Sequence, residues 1–177
     1  MSSEITVEQV RCLMDYNPLT GKAFWKSRDL EWFNGNTRIC NSWNAKHVGK
    51  EVGTYRRGYK VTRINRTHHA LHHLIWMWVY GDRHTDYIDH INGVKDDNRI
   101  TNLRLVTHQQ NMQNQRKTRC NNKLGLTGVY KKKGSNNYQS QIMQAGKIHR
   151  LGTFTDPQEA HEAYLKAKKD LHPFSTL

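Results

Sequence analysis

Apolar residues never run far in this chain. The longest continuous stretch, Leu74–Tyr80, is seven residues, well short of the roughly 20 a helix needs to cross a bilayer. No membrane span is therefore expected, and Leu71–Tyr80, closed by Gly81, reads as a buried helix. With 177 residues the chain can make one or two small domains, each with a modest core. The start, Met1-Ser-Ser-Glu-Ile5, lacks the basic and apolar pattern of a signal peptide. Cys12, Cys40 and Cys120 are scattered and form no CxxC pair, so neither a zinc site nor a disulfide framework is expected, and the cytoplasm is the expected setting.

Charge narrows the partner. The formal net charge is +13, which suits a polyanion, either nucleic acid or an anionic membrane surface. The excess is uneven: residues 116–177 hold 12 lysines and arginines against 4 acidic residues, and the first 115 hold 16 against 11. From Arg116 to Arg150 there are nine basic residues and no acidic one, with Tyr130 and Tyr138 set among them. Such aromatic rings could pack against sugars or bases.

The local pattern predicts a mixed α+β chain. Thr6 and Gln9 have capping-box spacing ahead of an apolar stripe at Val10, Leu13 and Met14. Asn17-Pro18-Leu19-Thr20-Gly21 reads as a turn into a strand at Phe24–Trp25. Residues 28–50, rich in Asn and Gly, show no organising period. Gly58–Ile64 alternates like a strand, and Asn65-Arg66 is a hairpin turn into a second one. Tyr87–Ile88 is a short strand leading into Asp89-His90. A polar loop over residues 92–101, a strand at Leu103–Val106 and a helix capped by Thr107 with Gln110 complete a strand, loop, strand, helix order, ββα. Residues 115–122 read as a basic linker. The tail offers strands at Gly128–Lys132, Tyr138–Met143 and Ile148–Phe154. A helix follows, capped by Asp156, with Pro157 at its first position and Glu159 at the box position. Ala160, Ala163, Tyr164, Ala167 and Leu171 lie on one face of it.

Within the ββα segment the residue types suit phosphodiester hydrolysis. That reaction needs a base for water, a cation for the charge on phosphate and leaving oxygen, and a framework that aligns them. His90 can be the base, since imidazole titrates near neutrality. Asp89 is a hard oxygen ligand suited to Mg²⁺ or Mn²⁺. Asn111, in the first turns of the following helix, could share that metal. Asn102 could accept a hydrogen bond from the far nitrogen of His90 and fix its tautomer. Arg104 and Lys95 are candidates to hold a flanking phosphate. Asp96, Asp97 and Asn98 read as Asx-turn residues that hold the loop.

The stretch from Asp89-His90 through Asn102-Leu103-Arg104 to Asn111-Met-Gln-Asn114 resembles the HNH signature of phage and intron-encoded homing endonucleases. Asn17–Trp25 and His72–Trp76 are also similar to those enzymes. The resemblance implies a ββα-metal nuclease, with His90 as general base, Asp89 and Asn111 on one divalent metal, Asn102 orienting the base, and products with 5′ phosphate and 3′ hydroxyl. The tail, in Gly128-Val-Tyr130, Tyr138–Ile142, Arg150–Phe154 and Glu159–Tyr164, resembles the APETALA-type DNA-binding domain, a three-stranded sheet on one helix. This implies DNA contacts from Tyr130, Lys132, Gln141 and Arg150. The first strand departs from that pattern, with Tyr and Lys where the family has Arg, and Arg150 stands for an aromatic, so base preference does not carry over.

Simpler readings stand beside these. An isolated Asp-His pair is usually a turn with a surface histidine; it is the whole set with Asn102 and Asn111 that argues for catalysis. His68, His69, His72 and His73 suggest packing or phosphate contact more than a metal site, for want of acidic or Cys partners. Trp76 and Trp78 read as core. Lys131–Lys133 could be a solvated turn. The resulting expectation is a nuclease domain over 1–114, with its ββα-metal core at about 84–114, a linker over 115–122 and a DNA-binding domain over 123–177. It would act on double-stranded DNA as a monomer, with no small-molecule cofactor. A DNA-binding regulator that has lost cleavage and a structural RNA-binding protein are the rivals.

Overall fold

The computed structural model describes residues 4–83, 86–114, 118 and 122–175. The chain divides into two compact units, Met1–Leu105 and Val106–Leu177.

In the first unit, helix α1 (Val7–Leu13) starts on the expected capping box: the Thr6 hydroxyl accepts from the Gln9 amide, and the Gln9 side chain accepts from the Thr6 amide. Met14, which periodicity puts on the helix stripe, instead opens β1 (Met14–Asn17). The Asn17 side chain accepts from the amides of Leu19 and Thr20, turning the chain into β2 (Lys22–Trp25), antiparallel to β1.

The stretch without a period contains a 3-10 turn at Leu30–Phe33 and helix α2 (Thr37–His47), capped by Asn36. Of α2 only Cys40 is fully buried, so no apolar stripe announces it. Arg28 anchors the region. Its guanidinium carbon lies 4.9, 5.6 and 3.9 Å from the ring centroids of Trp25, Trp32 and Trp43, within reach of cation–π attraction. Its backbone exchanges hydrogen bonds with the Asn44 amide in both directions. Burial pushes the guanidinium down to about 10.

A three-stranded antiparallel sheet follows, β3 (Thr54–Arg56), β4 (Tyr59–Ile64) and β5 (Thr67–Ala70), with β4 central. The expected hairpin turn at Asn65-Arg66 forms, and both residues have positive φ, 49° and 65°, as a two-residue turn of type I′ requires. Helix α3 (Leu71–Tyr80) ends at Gly81 in the left-handed region, as its sequence predicts. Leu71, Leu74, Ile75 and Met77 of α3 join Val10, Leu13, Met14, Val52 and Ile64 in the main core. Trp76 is buried there, and Trp78 packs partly buried with its Nε1 donating to Met14 O at 3.1 Å. Strands β6 (Tyr87–His90) and β7 (Leu103–Val106) form a two-stranded sheet, and the loop between them ends in a 3-10 turn at Ile100–Asn102.

Helix α4 (His108–Gln113), grouped by sequence with the nuclease segment, falls in the second unit, and it carries the expected Thr107–Gln110 capping box. The basic linker expected over 115–122 lies largely outside the described residues. Strands β8 (Val129–Lys131), β9 (Tyr138–Gln144) and β10 (Lys147–Phe154) form an antiparallel sheet in the order β10-β9-β8, with a register shift between Arg150 and Gly152. Helix α5 (Pro157–Leu171) begins with Pro157, and Asp156 accepts from the Gln158 amide at 3.1 Å. Ala160 and Tyr164 of α5 are buried, as are Val129 and Ile142 of the sheet. No helix among the described residues is long and apolar enough to cross a membrane.

Gly128 precedes β8 with φ +79°, and a Cβ there would fall on the Tyr164 ring. Gly128→Ala combines a left-handed backbone with a clash against a buried aromatic. It should destabilise the second unit by roughly 3 kcal/mol, measurable by urea denaturation followed by far-ultraviolet circular dichroism.

Candidate active site

The loop between β6 and β7 is closed by one amide. Asn102 Oδ1 accepts from the Asn92 amide at 3.0 Å, and its Nδ2 donates to Asn92 Oδ1 at 3.0 Å and to Asp97 O at 2.7 Å. The backbone adds Ile91 N donating to Asn102 O at 2.8 Å. Asp97 is the second anchor, accepting from Asn92 Nδ2 and from Nε and Nη2 of Arg99 at 2.7, 2.8 and 2.6 Å. The Arg99 hydrogen bonds, the largest influence, and the one from Asn92 hold its carboxyl down to about 2 against the opposing effect of burial. Asp97 thus holds the loop, as its sequence position predicts.

His90 ends β6 and is 4% exposed. Its Nε2 lies 3.0 Å from Asn98 Oδ1. This corrects two expectations. The hydrogen-bonding groups of the Asn102 amide go to Asn92 and Asp97, and the far-nitrogen partner is Asn98, which the sequence reading assigned to an Asx turn. Around the imidazole stand His72, edge-on at 5.0 Å between centroids, and Tyr59 at 6.0 Å. Burial, with smaller effects of His73 and His90, pushes His72 down to about 3, so it is a neutral wall beside His90. Of the four histidines expected in packing or phosphate contact, His72 is the buried one and takes the packing role. Lys95 Nζ sits 4.3 Å from the Tyr59 ring centroid, and Tyr55 donates to Asp96 Oδ2 at 3.2 Å.

Asp89 precedes His90. Arg104 Nε and Nη2 both reach its Oδ2, at 3.1 and 2.9 Å. Arg104, expected on a flanking phosphate, is therefore paired with the residue expected on the metal. Asn111 lies on α4, and Asn114 is the C-cap of that helix. Among the described residues no group of three His, Cys, Asp or Glu is arranged to hold a metal ion. The Asp89 carboxylate is a hard oxygen donor of the kind Mg²⁺ or Mn²⁺ takes.

In the second unit, α5 packs on the sheet, where Ser140 and Ile142 are buried. Gln141 pairs across with Arg150, and Tyr130 donates to Gln141 Oε1 at 3.2 Å. Three of the four expected DNA contacts therefore stand together on the strands. The fourth, Lys132, begins the turn to β9, its amide donating to Asn137 O.

Sequence reasoning missed Asn98, Tyr59 and Tyr16, the last of which donates to Asn98 O at 2.9 Å. Their contacts with the site are long-range or cross the loop, and no local spacing signals them. The pairing of Arg104 with Asp89 had one available signal: the two occupy facing strands of a predicted hairpin.

Residues 69–113 match the HNH endonuclease family model. An uncharacterized HNH endonuclease of Acanthamoeba polyphaga mimivirus is 33% identical over 78 residues, 44% of this chain and 38% of the relative. The match thus covers well under half of that relative's length. No solved structure matches the chain significantly. The matched segment begins in β5, ends at the last residue of α4 and contains Asp89, His90, Asn98, Asn102 and Arg104. Residues 69–113 are therefore an HNH endonuclease domain.

Proposed function

We propose that this chain is a metal-dependent endonuclease that nicks double-stranded DNA, a site-preferring enzyme of the phage homing type that acts as a monomer in the cytoplasm. The observation that carries the reading is a buried imidazole at a strand end, next to a carboxylate, inside a segment that matches the HNH family. His90 takes the proton from the attacking water. Asp89 and, by the family resemblance, Asn111 would hold one Mg²⁺ or Mn²⁺. Bound there, that ion supplies charge neutralisation at the scissile phosphate and leaving oxygen. His72 and Tyr59, in contact with each other, pack together against the ring. Products carry 5′ phosphate and 3′ hydroxyl, again by resemblance.

The second unit supplies recognition in this reading, as an APETALA-type domain. A β-ribbon fits the major groove, and Tyr130, Gln141 and Arg150 lie on neighbouring, paired strands. Lys131–Lys133, all exposed, extend the positive charge into the adjacent turn, where phosphates can be met. Gln141 suits an adenine edge and Arg150 a guanine edge. A regulator that merely binds DNA is the outcome if supercoiled plasmid incubated with Mg²⁺ stays intact.

His90→Ala should lower the single-turnover nicking rate by about 100-fold or more with DNA affinity little changed, since phosphate contacts supply most of it. Plasmid conversion and fluorescence anisotropy measure the two quantities. Accumulation of nicked circles with little linear DNA is expected from one constellation per chain; direct appearance of linear DNA together with a dimer mass would overturn the monomeric nickase.

Lys132→Ala should weaken binding to all sequences alike and reduce the slope of log affinity against log salt by about 1. Arg150→Ala should instead cost about 1–3 kcal/mol on preferred sites only. Equal losses on specific and random duplexes for Arg150→Ala would remove it from base recognition.

A further inference from the structure

We propose that Asn98 is the positioning residue for His90, and that the β1–β2 hairpin is part of the catalytic assembly because it holds Asn98 in place. The inference rests on His90 being the base.

Asn98 is 1% exposed, and its Oδ1 lies 3.0 Å from His90 Nε2. Two features of the distant hairpin fix it there. The Tyr16 hydroxyl of β1 donates to the Asn98 carbonyl at 2.9 Å across 82 residues of sequence. The turn after β1 lies directly on the peptide that joins Asn98 to Arg99: a Cβ on Gly21, at φ +71°, would come 2.5 Å from Arg99 N and 2.8 Å from Asn98 C. No residue but glycine lets the turn approach so closely.

The Asn98 Nδ2 is buried and finds no hydrogen-bond partner among the described residues. An unsatisfied buried donor costs stability, so the amide burdens the fold at this position. Its oxygen is what the position uses. An amide oxygen can only accept, so a neutral His90 in this contact carries its proton on Nε2 and its lone pair on Nδ1. Asn98 therefore selects the tautomer as well as the ring plane, the role the sequence alone points to Asn102 for. Asn102 acts one step back, through the loop.

The test uses the full chain labelled with ¹⁵N-histidine, free of DNA and metal. His90 should show the ¹⁵N shifts of an imidazole protonated at Nε2. Asn98→Leu, close in shape but without an acceptor, should lose that signature and slow single-turnover nicking at least about tenfold, with the DNA dissociation constant moved by less than about twofold. Tyr16→Phe leaves the amide in place but frees its backbone, and should slow nicking about threefold or more at unchanged affinity. Protonation at Nδ1 in the unsubstituted protein overturns the proposal. So does a folded Asn98→Leu protein that keeps the tautomer and the rate. Where Asn98→Leu fails to fold, the tautomer of the unsubstituted protein and Tyr16→Phe decide. Where the unsubstituted protein cuts no DNA, the nuclease reading fails, and the tautomer alone decides whether Asn98 sets the imidazole.

Discussion

The amide of Asn102 is used up in closing the loop that follows His90. It joins Asn92, Asp97 and the end of β6 through three side-chain hydrogen bonds and one from its carbonyl. Each partner is a polar group at least partly withdrawn from water, so removing the amide would orphan several at once, at about 1–3 kcal/mol apiece where they are buried. The rest of the site hangs on this closure. It sets Asp97 against Arg99 and turns Asn98 inward to the edge of the imidazole. It also brings β7 back alongside β6, so that Arg104 meets Asp89.

What the sequence disclosed follows the range of the interactions. Two of the three expected capping boxes, the hairpin turn at Asn65-Arg66, the stop at Gly81 and the three tail strands depend on neighbours a few residues apart, while at the third box Asp156 accepts from Gln158 instead. Those rules are local and were legible. Asp89 and His90 stood out only together with Asn102 and Asn111, because an Asp-His pair alone is usually a surface turn. The partner of the imidazole was not legible. Asn98 and Asn102 are both asparagines of one loop, and spacing cannot say which side chain turns inward and which is taken by the loop itself. The 28–50 segment failed for another reason: α2 is anchored by Asn44 on the Arg28 backbone and by Trp43 over its guanidinium. That is a single polar anchor and has no period.

The two units also differ in how polar groups are buried. In the first, four buried polar residues, His72, His90, Asn98 and Asn102, gather around the β6–β7 loop, and Thr62 is buried on β4. In the second, Ser140, Lys168 and His172 lie at the packing of the sheet with α5, His172 bonded to Met143 O, while Asn114 is buried at the end of α4. One unit thus concentrates polarity where chemistry is proposed, and the other uses it to seat a helix.

The tryptophan cage around Arg28 has an optical consequence. All five tryptophans lie before residue 79, inside the first unit, while the second contains none. Indole emission from this chain is thus a private signal of the first unit. Three of its five sources sit within 6 Å of one guanidinium carbon, so the colour of that light registers whether the otherwise unannounced 28–50 segment is folded.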